Sequence, residues 1–423
     1  MKSVFHIVIL SLYFFIFLIS ETSFNLYLSW DRIIPQFLFL SLLNTVSFFY
    51  LLRNNKLLIS INSAIKERII KLYSLFILVC FISIFFADNF SESVIVFSQY
   101  FTYLLSFIVI YTISKLIGKT FLKFFIILSI IALFIESSSI LYNAVDRVLI
   151  KGETFERDNF LLRTFTGNIN IAANSIVSKI MLLYLVIYTY KDRIITYLSY
   201  ILLFISFSAL YILLTRSAFL SLGVLTFIIV IFNYKKIITH SIPLLAILLI
   251  GYFFVNLTFN SQNPDEISSR ISSIALTTED DSINERLGYY SDAVKSIMEF
   301  PVFGIGIGNW KIKSIEYAGV DVNGYTVPYN THNDFLQISA EIGVIGGIIY
   351  LMIYLIPIYQ VLIKLKNRVL DNLNLVYLLI IASIFIDSML NFPIARPVNH
   401  IFLLFTLVAM TQTSKANLNN ESI

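Results

Sequence analysis

Apolar residues run through this chain in long blocks. Twelve such blocks are long enough to be read as crossing about 30 Å of hydrocarbon. They cover residues 4–20, 33–52, 69–86, 94–117, 121–143, 169–190, 195–214, 217–233, 237–258, 334–363, 373–392 and 397–412. Most connections between them are only a few residues long, so consecutive helices must pack side by side. The pattern predicts an all-α integral membrane protein of about twelve transmembrane helices. The first block follows Lys2 and resembles a signal-peptide core. No A-x-A-like site follows it, and Glu21-Thr22-Ser23 is a poor cleavage context, so it reads as the first span.

Two connections break the pattern of short turns. Residues 144–168 carry four basic and four acidic residues, and residues 259–333 form the one domain-sized loop. A loop of that length is usually functional. The organisation read from the pattern is therefore nine helices in 1–258, a large loop in 259–333, three helices in 334–412, and a tail in 413–423. Composition agrees with a membrane protein: 58% of residues are hydrophobic and 13% are charged, against about 25% charged in soluble domains. The single cysteine, Cys80, excludes a disulfide or a cysteine-based metal framework.

Net charge is +4, but its distribution says more than its sum. With the N-terminus inside, 17 of the 30 basic residues fall in inside connections, among them Arg53, Lys66, Lys119, Lys235 and Lys366. Only four acids accompany them: Glu67, Asp192, Asp371 and Glu421. Such alternation puts both termini in the cytoplasm and the two long connections outside.

Within the large loop, Asn284 to Phe300 reads as an amphipathic helix, with Asn284 as N-cap and Leu287, Tyr290, Val294 and Ile297 at helical spacing. Pro301 ends it, and Gly304-Ile-Gly306-Ile-Gly308 follows. A dinucleotide-binding run of this kind follows a strand within a βαβ unit. This one follows a helix, so it reads as a tight backbone turn.

Ionisable residues inside apolar blocks need a partner or a task. Glu136 and Lys179 lie in adjacent blocks and predict an ion pair. Asp334, Gln337 and Glu341 share one helical face, read as packing or substrate contact. Glu341 lies nine residues from His332, roughly 13 Å along a helix and on the opposite face, so the two do not form a dyad. His332 stands where the long polar segment meets an apolar block, unlike His6, His240 and His400. Arginines gather at the outer boundary: Arg163, Arg216 in the turn Leu214-Thr215-Arg216-Ser217, Arg286 on the loop helix, and Arg396. Lipid phosphate anchoring accounts for Arg32 and Arg147. It accounts less well for Arg216, which a two-residue turn pins. A planar guanidinium suits bidentate capture of phosphate oxygens.

Four ordered motifs carry a resemblance over nearly the whole chain. They are Arg163-x-x-x-Gly167-Asn168-x-Asn170; Thr215-Arg216-Ser217; Asn284-Glu285-Arg286 leading to Pro301-x-x-Gly304-x-Gly306-x-Gly308-Asn309; and His332-Asn333-x-x-Leu336 with Glu341-x-Gly343. In these the chain resembles the O-antigen ligase and polymerase superfamily of bacterial membrane glycosyltransferases, closest to O-antigen ligase. The resemblance implies a GT-C-like helical fold in the inner membrane and transfer of a glycan from undecaprenyl pyrophosphate to a lipid A–core sugar hydroxyl. It implies catalytic roles for His332, Arg216 and Arg286, and substrate contacts from Arg163, Asn170, Ser217, Asn333 and Arg396. It implies no cofactor and no metal, inversion at the anomeric carbon, and partners that are lipids and glycans rather than nucleic acid.

The residues alone do not separate a ligase from an O-antigen polymerase or a protein O-oligosaccharyltransferase, nor do they set the oligomeric state. A twelve-span transporter or lipid-glycan flippase is the competing class. Such proteins often show two similar halves and midplane charges in broken helices, and this chain has no visible half-repeat.

Overall fold

The computed structural model describes residues 2–19, 33–53, 57–153, 162, 165–189, 192–259, 281–318, 328–366 and 372–420. Every regular element among the described residues is helical. In chain order the α-helices are α1 Lys2–Phe14, α2 Ile34–Arg53, α3 Leu57–Ile65, α4 Arg68–Ser83, α5 Phe90–Ile117, α6 Thr120–Val145 and α7 Ile169–Thr189. They continue with α8 Arg193–Leu213, α9 Arg216–Phe259, α10 Asp281–Glu299, α11 Trp310–Ala318, α12 Asp334–Lys366, α13 Asn372–Leu390 and α14 Pro397–Asn420. Helices satisfy their own backbone polar groups, which a hydrocarbon environment requires.

Eight helices among the described residues are long and apolar enough to cross a membrane, consistent with an integral membrane protein. Three more blocks fold as shorter apolar helices, Val4–Leu18, Arg216–Phe232 and Pro243–Phe259. The last two differ from the sequence reading. They lie within the single helix α9 of 44 residues, with Pro243 inside it.

The chain divides into two compact units, one of residues 1–121, 278–360 and 388–423, the other of residues 122–277 and 361–387. In the first unit α5 is the hub, packed against α1, α2, α4 and α14. Asn89 caps its start by accepting from the Glu92 N–H at 3.2 Å. In the second unit α7, α8 and α9 pack on one another, and α7 is buried almost throughout.

α12 departs most from expectation. Gly343 interrupts it at φ 80° and ψ 168°. The Tyr350 hydroxyl donates to Asp334 Oδ2 at 3.2 Å, and the Phe335 ring meets the Tyr350 and Tyr354 rings at 5.4 and 5.7 Å. A straight helix would part the Cα atoms of Asp334 and Tyr350 by about 24 Å. The chain therefore folds back at Gly343, and residues 334–342 run alongside the helix that follows. The block read as one span from 334 to 363 is a short return arm plus residues 344–364, which as a helix extend about 30 Å. Tyr350 lies about 10 Å along that second arm from the break, so the start of the first arm is recessed by a similar distance.

Candidate active site

Residues 328–333 enter α12 through a compact cap. The Thr331 hydroxyl donates to the Asn333 carbonyl at 2.7 Å and accepts from the Asn333 N–H at 3.1 Å. Asn333 Oδ1 accepts from the N–H groups of Phe335 and Leu336 at 3.0 and 3.1 Å, satisfying donors that a helix start leaves open. Between them His332 sits at φ 57°. Only Leu214 shares a positive φ with it among the described non-glycine residues. Read from sequence as a substrate contact, Asn333 thus has its side-chain oxygen engaged in capping.

Aromatic rings flank His332, and the Arg286 charge acts on it. Its ring lies edge-on to Phe392 at 5.1 Å and nearly parallel to Tyr289 at 6.5 Å. The Tyr290 hydroxyl donates to the His332 carbonyl at 3.1 Å, which ties α10 to the cap. Arg286, one turn earlier on α10, donates from Nη1 to the Leu390 carbonyl at 3.2 Å. Arg396 lies over the Phe392 ring at 5.3 Å. Three sequence-predicted residues, His332, Arg286 and Arg396, are thus joined through the turn between α13 and α14. Asp334 supports that turn by accepting from the Ile394 N–H at 3.1 Å.

Burial, and secondarily the Arg286 charge, lowers the His332 pKa from 6.5 to about 4. The imidazole is therefore neutral at neutral pH. Its Nδ1 is buried and has no hydrogen-bond partner among the described residues. Phe392, Tyr289 and Tyr290 had no distinguishing mark as site residues in the sequence. Tyr290 read only as part of an apolar helical face.

The glycine run is the tight turn the sequence suggested. Ile305 N–H donates to the Ala340 carbonyl at 3.1 Å, and Val344 N–H to the Pro301 carbonyl at 2.9 Å. A β-carbon on Gly304 would fall on the Glu341 carbonyl, and one on Gly343 on the Val302 carbonyl. Glu341 Oε2 accepts from the Gly308 N–H at 2.9 Å, and Oε1 accepts from the Trp310 N–H at 3.2 Å. This carboxylate holds the loop and the start of α11, and Asp334 holds the α13–α14 turn. The acidic stripe is thus a packing device. Trp310 in turn packs with Ala293, Ala340, Tyr289, Ile297 and Leu336, which seats α10. Asn284 proves to lie inside α10 rather than at its cap, because the helix already includes Asp281.

The second unit carries the other predicted residues. Asn168 caps α7, accepting from the N–H groups of Asn170 and Ile171 at 2.9 and 3.2 Å. Asn174 Nδ2 donates to the Asn170 carbonyl at 3.1 Å and to Ser217 Oγ at 3.0 Å, so Asn170 and Ser217 meet through it. Arg216 is the exposed first residue of α9, following Leu214 at φ 44°. Arg163 lies outside the described residues. The predicted ion pair is present: Lys179 Nζ lies 3.0 Å from both Glu136 oxygens, fully within the protein, and Ser175 Oγ donates to Glu136 Oε2 at 3.1 Å.

Comparison with known proteins supports the resemblance. Residues 201–351 match the protein family described as O-Antigen ligase. That segment contains Arg216, Ser217, Arg286, the glycine turn, His332 and Asn333, but not Arg163, Asn170 or Arg396. The chain is also 33% identical over 97 residues to a protein of Rickettsia conorii (strain ATCC VR-613 / Malish 7) named "Putative polysaccharide ligase RC0486". The similarity covers 22% of this chain and 22% of that protein, so it spans about a fifth of the relative's length. Both findings support the O-antigen ligase superfamily.

Proposed function

We propose that this chain is a cell-surface polysaccharide ligase of the O-antigen ligase type. It transfers a glycan from undecaprenyl pyrophosphate to a lipid A–core sugar hydroxyl, from the inner membrane, with its site facing the periplasm and both termini in the cytoplasm. The observation that carries this reading is a neutral histidine held at φ 57° within the field of Arg286, against the Phe392 ring on which Arg396 lies. The family match and the relative's printed name favour a ligase over a polymerase.

In this reading the acceptor hydroxyl oxygen attacks the anomeric carbon as the bond from that carbon to the pyrophosphate oxygen breaks, which inverts the centre. Negative charge grows on the leaving pyrophosphate, and fixed guanidinium groups stabilise it more in the transition state than in the ground state. Arg286 and Arg216 have that role, with Arg163, Asn170, Ser217, Asn333 and Arg396 contacting the substrates. The hydroxyl proton passes to the neutral His332 imidazole. Bound pyrophosphate offsets the Arg286 charge and so raises the basicity of His332 when the proton must move. No metal is required.

The test is transfer by purified protein supplied with lipid-linked donor and acceptor in detergent. Arg286→Ala and Arg216→Ala are expected to reduce transfer severely while the protein remains folded, and Lys to restore part of it. Near-normal rates in both alanine variants would return these residues to lipid anchoring. Product formation only in sealed vesicles would favour transport, and loss of activity with EDTA would contradict metal-free transfer.

A further inference from the structure

α10 has a wider apolar arc than the protein covers. Taking Tyr289 as zero and about 100° per residue, Ser296, Ala293, Ile297 and Tyr290 fall between about −20° and 100°. This is the face packed on Trp310 and Ala340. Val294, Leu287 and Met298 fall next to it, between about 140° and 180°. They stand 43%, 57% and 70% exposed. Lys295, Glu299, Asp292 and Glu285 occupy the remaining side, between about 240° and 320°. The helix therefore has three sides: one against protein, one apolar and open, and one charged.

What lies on the open side follows from where it leads. The stripe runs about 16 Å from Leu287 to Met298 and continues past Pro301 into the exposed Val302 and Phe303. The Phe303 ring lies flat on Phe86 at 3.9 Å, at the end of the membrane-length helix Arg68–Phe86. Pro301 accepts from Val344, the first residue of the membrane-length arm of α12. Exposed Phe85 and Phe86 on the first of these helices, and Ile345 and Ile348 on the second, form the outward apolar walls immediately beyond. In a bilayer those walls face acyl chains.

We infer that α10 is an interfacial helix whose stripe Leu287, Val294 and Met298 lies against the acyl chains of the leaflet bordering Phe86 and Val344. An interfacial helix buries its apolar face among acyl chains and turns its charged face to water; α10 does so while its third side braces His332. Arg286, beside Leu287, is then held at the depth where the anionic headgroup of a membrane-borne molecule sits. The placement stands on packing alone and does not depend on the proposed reaction.

The test uses full-length protein with single cysteines at Leu287, Val294, Met298, Glu285 or Lys295 in a Cys80→Ala background. Each is labelled with an environment-sensitive fluorophore in phosphatidylethanolamine–phosphatidylglycerol vesicles. Labels at Leu287→Cys, Val294→Cys and Met298→Cys should emit at shorter wavelength, be quenched by brominated acyl chains, and lose several-fold in iodide quenching. Labels at Glu285→Cys and Lys295→Cys should behave oppositely. Iodide quenching of the stripe without quenching by brominated lipid would overturn the inference, as it would place the stripe in water. Protection from both quenchers would overturn it too, as another protein segment would then cover the stripe.

Discussion

The cap at Thr166-Gly167-Asn168, in one unit, and the cap at Thr331-His332-Asn333, in the other, use the same bonds. In each the threonine hydroxyl donates to the asparagine carbonyl, at 2.8 and 2.7 Å. In each the asparagine Oδ1 accepts from two N–H groups of the following helix. In each the middle residue is left-handed, at φ 69° for Gly167 and 57° for His332. They differ in what occupies that position. Glycine takes this conformation without steric penalty. A residue with a β-carbon is destabilised there by roughly 1–2 kcal/mol. The first cap carries no side chain at its left-handed position, whereas the second holds one where its backbone disfavours it. Strain kept in one of two equivalent places points to a task for that side chain.

The largest effect is expected from making the second cap like the first. His332→Gly keeps the left-handed turn and removes the imidazole. Transfer is expected to fall by about 10²-fold or more if the ring moves the proton, while the thermal midpoint holds or rises. Single-turnover transfer and a melting curve in detergent read both effects, and retained transfer would end the catalytic assignment. His332→Gln separates proton transfer from positioning, since glutamine keeps a hydrogen bond without titrating.

With the His332 pKa lowered to about 4, kcat/KM should stay level as pH falls from neutrality and drop only as it nears that value. The profile of kcat should drop at higher pH, because bound pyrophosphate offsets Arg286. A kcat/KM profile centred at the ordinary imidazole value would contradict the buried ring. Stability responds in the same window. The unfolded chain takes up the proton near the ordinary imidazole value of 6.5 and the folded chain near 4, so stability falls as pH drops from the first towards the second. His332→Gln should remove that part of the pH dependence of melting.

Changes at the first cap should have smaller effects. Gly167→Ala adds a β-carbon to the first cap and should destabilise the protein by about 1 kcal/mol, with transfer per folded molecule retained. Asn168→Ala and Asn333→Ala each remove one cap and should lower stability by about 1 kcal/mol, measured by denaturation in the same detergent. Similar losses in the two would agree with the shared geometry. A loss of transfer in Asn333→Ala well beyond its loss of stability would assign the Asn333 amide to substrate.

Hydropathy made the helical membrane class legible, because block length and charge depletion are properties of many residues at once. The Glu136–Lys179 pair was legible for a similar reason: each is costly alone, and their blocks are adjacent. The fold-back at Gly343 was not, since a single dihedral turns one apolar block into two antiparallel arms and leaves hydropathy unchanged. Nor was the nature of the His332 pocket. Sequence marked the histidine and the arginines by type and place, but Phe392 and Tyr289 meet it from distant segments and look like ordinary apolar residues. Glu341 read as a membrane acid in need of a role, and only the loop geometry reveals the amides it binds.

The pair between Glu136 and Lys179 also bears on how the chain is built. On insertion scales a lone charge at a helix centre is unfavourable by about 2.5–3.5 kcal/mol, and these two charges arrive on separate helices, α6 first. While α7 is still being synthesised, Glu136 has no Lys179 to meet. Until Lys179 arrives, the apolar length of α6 must outweigh that cost by itself. Pairing with Lys179 then offsets the cost, so the contact favours α6 and α7 as neighbours once both are in the membrane.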